Sequence, residues 1–260
     1  MERLKSLLDE KVAQYNCADF IPNDPISFPH AFTRREDIEI VALLASVIAW
    51  GNRKMILRSG KKMFHGIMHS APYDFVMGGE WEKLDDRQNI HRTFFVADFK
   101  YICRGLKEIY TKYGSLEPLF IGCSIWEGIE RLRNELADAN DGATTKHISN
   151  PVNAKGKPGS ACKRMHMMLR WLCRKDGLVD LGIWQAVSPS QLMIPIDVHV
   201  ARTARILGLV DRKQNDRRTV EELTARLREL SPDDPVRYDF ALFGVGEAGE
   251  DFIEDFINNI

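Results

Sequence analysis

Apolar residues recur along most of this chain at three- and four-residue intervals, and alternate only rarely. Leu4, Leu7, Leu8 and Val12 make a stripe at i, i+3, i+4 and i+8 that predicts an amphipathic helix near the start. Pro22, Pro25 and Pro29 follow in a stretch that no continuous helix would hold. Residues 36–49 are strongly apolar (Ile38, Val41, Leu43, Leu44, Val47, Ile48) and predict a buried helix, with Trp50-Gly51-Asn52 as its end and Gly51 suited to a left-handed cap. The helix expected next carries Arg53, Lys54, Arg58, Lys61 and Lys62 without one acid. Further helices are predicted near 96–112 and 124–138.

Residues 139–158 break the pattern. They are rich in Gly, Asn, Thr and Lys and predict the longest loop, a length usually tied to function or mobility. A helix over 160–175 follows, ending near Gly177; Pro189 and Pro195 bracket a short turn. Asp197 opens the next helix and Gly208 closes it. Thr219-Val220-Glu221-Glu222 reads as a capping box, and Asp234-Pro235 as a cap with a first-turn proline. There is no internal repeat. The fold class these periods predict is all-α.

Composition narrows the class. The chain has 260 residues, 44% hydrophobic and 28% charged, enough for a core and too apolar for disorder. No apolar run approaches the ~20 residues of a membrane span, and the first residues lack the apolar core of a signal peptide. A protein of the cytoplasm is expected, associated with the nucleoid if DNA is its ligand. The five cysteines, Cys17, Cys103, Cys123, Cys162 and Cys173, form no C-x-x-C pair, and none follows Cys173. That pattern suits reduced thiols and gives an iron–sulfur cluster or zinc ion no ligand set, so neither metal nor cofactor is expected.

Charge adds one further feature. The formal net charge is −1, yet residues 151–218 hold thirteen Lys/Arg against five Asp/Glu, and residues 219–260 hold three against eleven. A basic segment inside a neutral total would draw a polyanion to one part of the molecule.

The basic segment contains the two residues with most chemical promise. Lys163 follows Pro158-Gly159-Ser160-Ala161-Cys162, just inside the expected helix. The turn would leave backbone amides facing outward at the helix start, a place for a phosphate. Asp197 follows Ile194-Pro195-Ile196 and precedes Val198-His199-Val200-Ala201-Arg202. A lysine attacks as a neutral amine and forms a Schiff base with a sugar aldehyde, and a carboxylate fixed at a helix start stabilises positive charge nearby. Taken singly, such a lysine is most often a surface cation and such an aspartate a plain N-cap.

Together these residues resemble the helix-hairpin-helix (HhH-GPD) DNA glycosylase superfamily, and in particular 8-oxoguanine DNA glycosylase/AP lyases. That family's hairpin reads Pro-Gly-x-Gly-x-Lys with Leu-Arg six and seven residues on. Pro158-Gly159-Ser160-Ala161-Cys162-Lys163 with Leu169-Arg170 is similar to it, as Asp197-Val198-His199-Val200 is to the family's Asp-x-His-(Val/Ile). Val41–Ala49 and Ala241-Leu242-Phe243-Gly244 resemble its early and late helices. Two departures stand out: the second glycine is Ala161, and Lys163 and Asp197 lie 34 residues apart, more than is usual. The extra segment holds Asp180-Leu181-Gly182-Ile183-Trp184. The chain resembles more closely a bacterial family of this type that shares Lys-Arg-Met, Leu-Arg-Trp, Asp-Leu-Gly-Ile-Trp and Tyr-Asp-Phe-Ala-Leu-Phe. That closer resemblance brings no function with it.

The resemblance implies two helical lobes with a cleft between them: residues 33–176, carrying the hairpin and Lys163, and residues 1–32 with 177–260, carrying Asp197. It implies a DNA repair enzyme that excises an oxidised purine. Lys163 would attack C1′ of a flipped nucleotide, and Asp197 would stabilise the sugar cation. The partner would be double-stranded DNA with an everted damaged base; a monomer is expected, with no membrane. Everting a base costs a few kcal/mol and needs phosphate anchors and a gap-filler. Lys155, Lys157, Arg164, Arg170, His199, Arg202 and Arg205, with the run Arg53–Lys62, are the candidate anchors. Trp50, Asn52 or Arg53 is the candidate to fill the gap, and Trp171 and Trp184 to stack on the base. The alternative is a non-catalytic DNA-binding module on the same scaffold.

Overall fold

The computed structural model describes residues 2–248, and they are mostly helical; one two-stranded hairpin is the only sheet among them. No helix among the described residues is long and apolar enough to cross a membrane. Contacts divide the chain into two units. One is Ile21–Ser149; the other gathers the chain up to Phe20 with that from Asn150 onward. The boundary expected at 176 thus lies at 149, and Lys163 shares a unit with Asp197. Residues 249–260 of the expected second lobe lie outside the described residues.

In the unit Ile21–Ser149, helix α2 (Arg35–Ile48) is buried along nearly its whole length. It still encloses a carboxylate. Glu39 accepts bonds from Arg35 Nε (3.1 Å), Ser115 Oγ (2.8 Å), Tyr110 Oη (2.9 Å) and Leu116 N (3.0 Å). Such saturation is what makes a buried acid tolerable. Gly51 ends this helix with φ +95°, and a side chain there would run into the Arg92 guanidinium. Asn52 caps α3 (Arg53–Lys61), which runs on into a π-helical turn, Lys62–Ile67. Then come α4 (Pro72–Gly78), strands β1 (Asn89–His91) and β2 (Phe94–Phe95), α5 (Val96–Tyr113) and α6 (Ile125–Asp138). The proline stretch forms short 3₁₀ turns, each opened or crossed by a proline.

In the other unit, α1 (Glu2–Tyr15) is followed after Asn150 by α7 (Lys163–Cys173), α8 (Val198–Ile206), α9 (Arg217–Leu230) and α10 (Asp239–Ala248). Helix α10 is the apolar centre. Two glycines let it approach its neighbours closely: a methyl group on Gly244 would strike the Tyr15 ring of α1. One on Gly246 would meet Thr203 Oγ1 at 2.8 Å and His199 O at 2.9 Å, both in α8. Two caps differ from the sequence expectation. Helix α9 is capped by Asp216, which accepts from Thr219 N at 3.0 Å, so Thr219 is a first-turn residue and not the cap. Asp234 holds the cap position before Pro235, but its carboxylate turns instead to Arg174 Nε at 2.7 Å.

The segment after α7 folds back onto that helix. Leu181 N and Gly182 N donate to Trp171 O (2.9 and 3.1 Å), and Trp184 N donates to Leu172 O (2.8 Å). These bonds satisfy carbonyls that a helix end leaves open. Gly182 adopts φ +57° against the Lys175 backbone, where a side chain would clash. Asp180-Leu181-Gly182-Ile183-Trp184 is therefore a helix seal.

Candidate functional site

The approach to Lys163 is a tight paired loop. Asn153 Oδ1 accepts from Lys155 N (2.9 Å) and Lys157 N (3.2 Å) at its tip. Below the tip, Asn153 N donates to Lys157 O, Gly159 N to Pro151 O and Ser160 N to Asn150 O. A Cβ on Gly159 would lie 2.9 Å from the Val152 carbonyl carbon, so only glycine fits there. One expectation changes. The Gly159 and Ser160 amides are spent inside the loop and do not face outward. The loop expected over 139–158 is present: α6 ends at Asp138, and residues 139–162 form turns and bridges. The left-handed residue that launches α7 is Cys162, at φ +46°, so Ala161 is under no demand to be glycine. A non-glycine residue held there implies strain that the surroundings impose.

Lys163 is the first residue of α7, and Asp197 is the N-cap of α8. Lys163 Nζ lies 3.9 Å from Asp197 Oδ2, with the side chains 29% and 21% exposed. Nζ also lies 3.6 Å from Met167 Sδ, one turn along. The two carboxylate oxygens of Asp197 have separate tasks. Oδ1 accepts from His199 N (2.9 Å) and Val200 N (3.0 Å); Oδ2 is the one turned to the amine. A capping carboxylate is fixed in direction and held beside the positive end of the helix. Capping and charge stabilisation are thus compatible in this one side chain.

Behind the pair lies a carboxyl group that the sequence reading did not single out. Asp239, at the start of α10, is buried and bonded to Arg170 Nη1. Burial pushes its pKa up to about 7; Arg170 opposes the rise, Asp197 adds to it, Lys163 opposes it and Asp180 adds to it. The charges of Lys163 and Asp197 are therefore felt at Asp239. The available signal was an acid inside the otherwise apolar run Tyr238-Asp239-Phe240-Ala241-Leu242-Phe243.

Arg170 corrects another expectation. It is buried, bonded to Asp180 Oδ1 (3.2 Å) and Asp239, and stacked 4.2 Å over Phe240. It braces the protein interior and does not face a phosphate. Arg174 extends the network to Asp180 Oδ2 (3.0 Å), Asp234 (2.7 Å) and Asp176. Asn16, just past the end of α1, joins through Asp176 Oδ2 at 2.8 Å. Burial raises the Asp180 pKa, against the pull of Arg170 and Arg174.

Trp171 and Trp184 are also internal, so neither offers a face for a base to stack on. Arg205 is occupied by Arg212 O (2.7 Å), Lys213 O (3.0 Å) and Asn215 Oδ1 (2.5 Å), which pin the turn after α8. Arg164 is partly buried, and burial lowers its pKa, against the opposing effect of Cys162. His199 is exposed and donates Nδ1–H to Gly246 O at 3.1 Å. Lys155 and Lys157 are exposed on the loop, and Arg202 is half-buried.

In the unit Ile21–Ser149, Asn52 is exposed and caps α3 through Met55 N at 3.3 Å; Arg53 beside it is half-buried. Trp50 packs edge-on to His91 (5.3 Å) under the Arg92 guanidinium (4.7 Å), which makes it a packing residue.

A family model described as a protein of unknown function (DUF2400) matches residues 24–248. No curated protein and no solved structure matches the chain.

Proposed function

The chain belongs to the DUF2400 family, and we propose that it is a base-excision DNA glycosylase with AP lyase activity on an oxidised purine, built on a glycosylase-like helical scaffold. One observation carries the reading: two residues 34 apart in sequence meet at 3.9 Å, both partly open to solvent. The side chains that the motif singles out supply an amine and a carboxylate, the pair that imine-forming base excision requires.

The proposed chemistry follows from the two positions. Lys163 gives up its ammonium proton, and Nζ forms a bond to C1′ of an everted nucleotide while the C1′–N bond to the base breaks. The base takes the bonding electrons and a proton. Ring opening yields an imine between Nζ and C1′, and loss of the C2′ proton then expels the 3′ phosphate. Asp197 Oδ2 stabilises the positive sugar and accepts protons. Its companion oxygen holds it in place by accepting two backbone bonds. Lys155 and Lys157 at the loop tip and His199 and Arg202 on α8 are the proposed phosphate contacts on this unit.

A second reading has its own support. Trp171, Trp184 and Arg170 are internal, so the residues expected to hold the base and one phosphate are committed elsewhere. A DNA-binding module without excision fits that loss. Borohydride separates the two. Incubated with 8-oxoguanine or abasic duplex and NaBH4, the wild-type protein is expected to give a covalent adduct that Lys163→Gln does not. Salt-sensitive duplex binding with no adduct on any lesion would leave the module. An adduct that persists in Lys163→Gln would exclude this lysine as nucleophile.

A further inference from the structure

The unit Ile21–Ser149 holds a pocket of about 300 Å³ between α3 and the β1–β2 hairpin. Arg58 and Lys62 line it from α3 and its π turn, and Arg92 from the hairpin; no acid lines it. Among the described residues, none of these three cations has a carboxylate partner. Elsewhere in the same unit Arg34 pairs with Glu36 and Asp74, Arg87 with Asp85 and Arg104 with Glu82. Three cations gathered without counter-charge repel one another and favour an entering anion.

The pocket is built, not merely decorated. His91 forms its buried floor, with Nε2 2.9 Å from Trp50 O and Nδ1 3.0 Å from Ser59 Oγ. A carbonyl only accepts, so Nε2 carries the hydrogen and Nδ1 accepts from the hydroxyl. Burial lowers the His91 pKa; the Trp50 bond opposes this and Arg92 reinforces it, so the ring is a neutral brace. Lys62 Nζ donates to Asn89 O at 2.9 Å and ties helix to hairpin. Arg92 has φ +51° and lies over the Trp50 ring, in space that Gly51 leaves open. Lys62 and Arg92 are therefore positioned before any ligand arrives.

The surroundings favour an extended ligand over a single ion. Met55 and Ile90 give the pocket apolar walls that suit a sugar beside its phosphate. Lys54 and Lys61, both exposed on α3, carry the charge beyond the pocket. We propose that this pocket seats a backbone phosphate of a polynucleotide, with Arg58, Lys62 and Arg92 as its ligands. The inference rests on the DNA reading above, but it requires neither Lys163 nor Asp197 to react.

The test measures binding of the full chain to an undamaged fluorescent duplex by anisotropy across a salt series. Arg58→Gln decides, because the Arg58 side chain engages no described residue and its loss leaves the fold alone. It is expected to weaken binding several-fold at low salt and to make the log–log salt slope shallower by about 0.9, one phosphate contact. Arg92→Gln should act in the same direction. Lys83→Gln, an exposed lysine elsewhere on the unit, should change neither quantity. Duplex affinity and slope unchanged in Arg58→Gln would overturn the proposal. So would loss of inorganic phosphate binding, read by calorimetry, with duplex binding intact; the site would then belong to a free ion. Borohydride adducts from the same proteins keep the two readings apart. A normal adduct with unaltered duplex binding in Arg58→Gln would remove the pocket and leave the enzyme. A shallower slope with no adduct from wild type would do the reverse.

Discussion

Lys163 and Arg170 lie two turns apart on α7, and they are treated in opposite ways. Arg170 is buried between two aspartates and beneath a ring, with its donors committed at hydrogen-bond distance. Lys163 is partly exposed, and its carboxylate stands off at 3.9 Å. A desolvated, saturated ion pair resists rearrangement, and removing one partner leaves a buried charge unanswered. A loose, wet pair contributes little to stability and can exchange its partner for a substrate. The difference suggests that one end of the helix sets the frame and the other is free to act.

The sharpest way to break this contrast is chemical. Lys163→Gln should abolish the borohydride adduct while changing urea-unfolding stability by less than about 1 kcal/mol. A large loss of stability would make Lys163 a second brace. Arg170→Met should behave inversely, costing about 3–5 kcal/mol because Asp180 and Asp239 lose their shared cation. A loss below about 1 kcal/mol would show that the network is not the frame.

The next test uses pH. The Asp239 pKa is raised in the fold to about 7, above the ordinary carboxylate value of 3.8. Its contribution to stability is therefore complete below that ordinary value and is lost as pH rises towards 7. His166 works in the opposite sense: burial, aided by Arg217, lowers its pKa to about 3, so stability is gained as pH rises towards the ordinary histidine value of 6.5. The informative quantity is the difference between wild type and Asp239→Asn. Wild type should lose ground to the variant between pH 5 and 7.5, and parallel pH profiles would deny Asp239 its shifted pKa. The smallest effect separates the two oxygens of Asp197. Asp197→Asn retains an N-cap and should cost only a few tenths of a kcal/mol, whereas Asp197→Ala should cost about 1 kcal/mol. Base release should be slowed in both. Normal excision by Asp197→Asn would reduce this residue to a cap.

Much of this frame was legible along the chain. The helices at 2–15, 35–48, 96–113 and 125–138 follow apolar periods that the core enforces. Lys163 and Asp197 were visible because each opens a helix, a local property. What escaped depends on distant partners. Arg170 looked like a surface anchor because nothing nearby announces Asp239, 69 residues on. Trp171 and Trp184 were candidates for stacking, yet the sealing bonds from 181, 182 and 184 fold both inward. The β1–β2 hairpin was missed because its turn places Arg92, not glycine, at positive φ. Asp216 was overlooked as a cap because Thr219-x-x-Glu222 made a stronger local pattern.

The strap at 180–184 bears on how such proteins are found. Its backbone stoppers the end of α7, and the interval from amine to acid is lengthened without keeping them apart. Searches tuned to a fixed gap between the two residues will pass over chains like this one. Searches that ask whether the two helix starts converge will retain them.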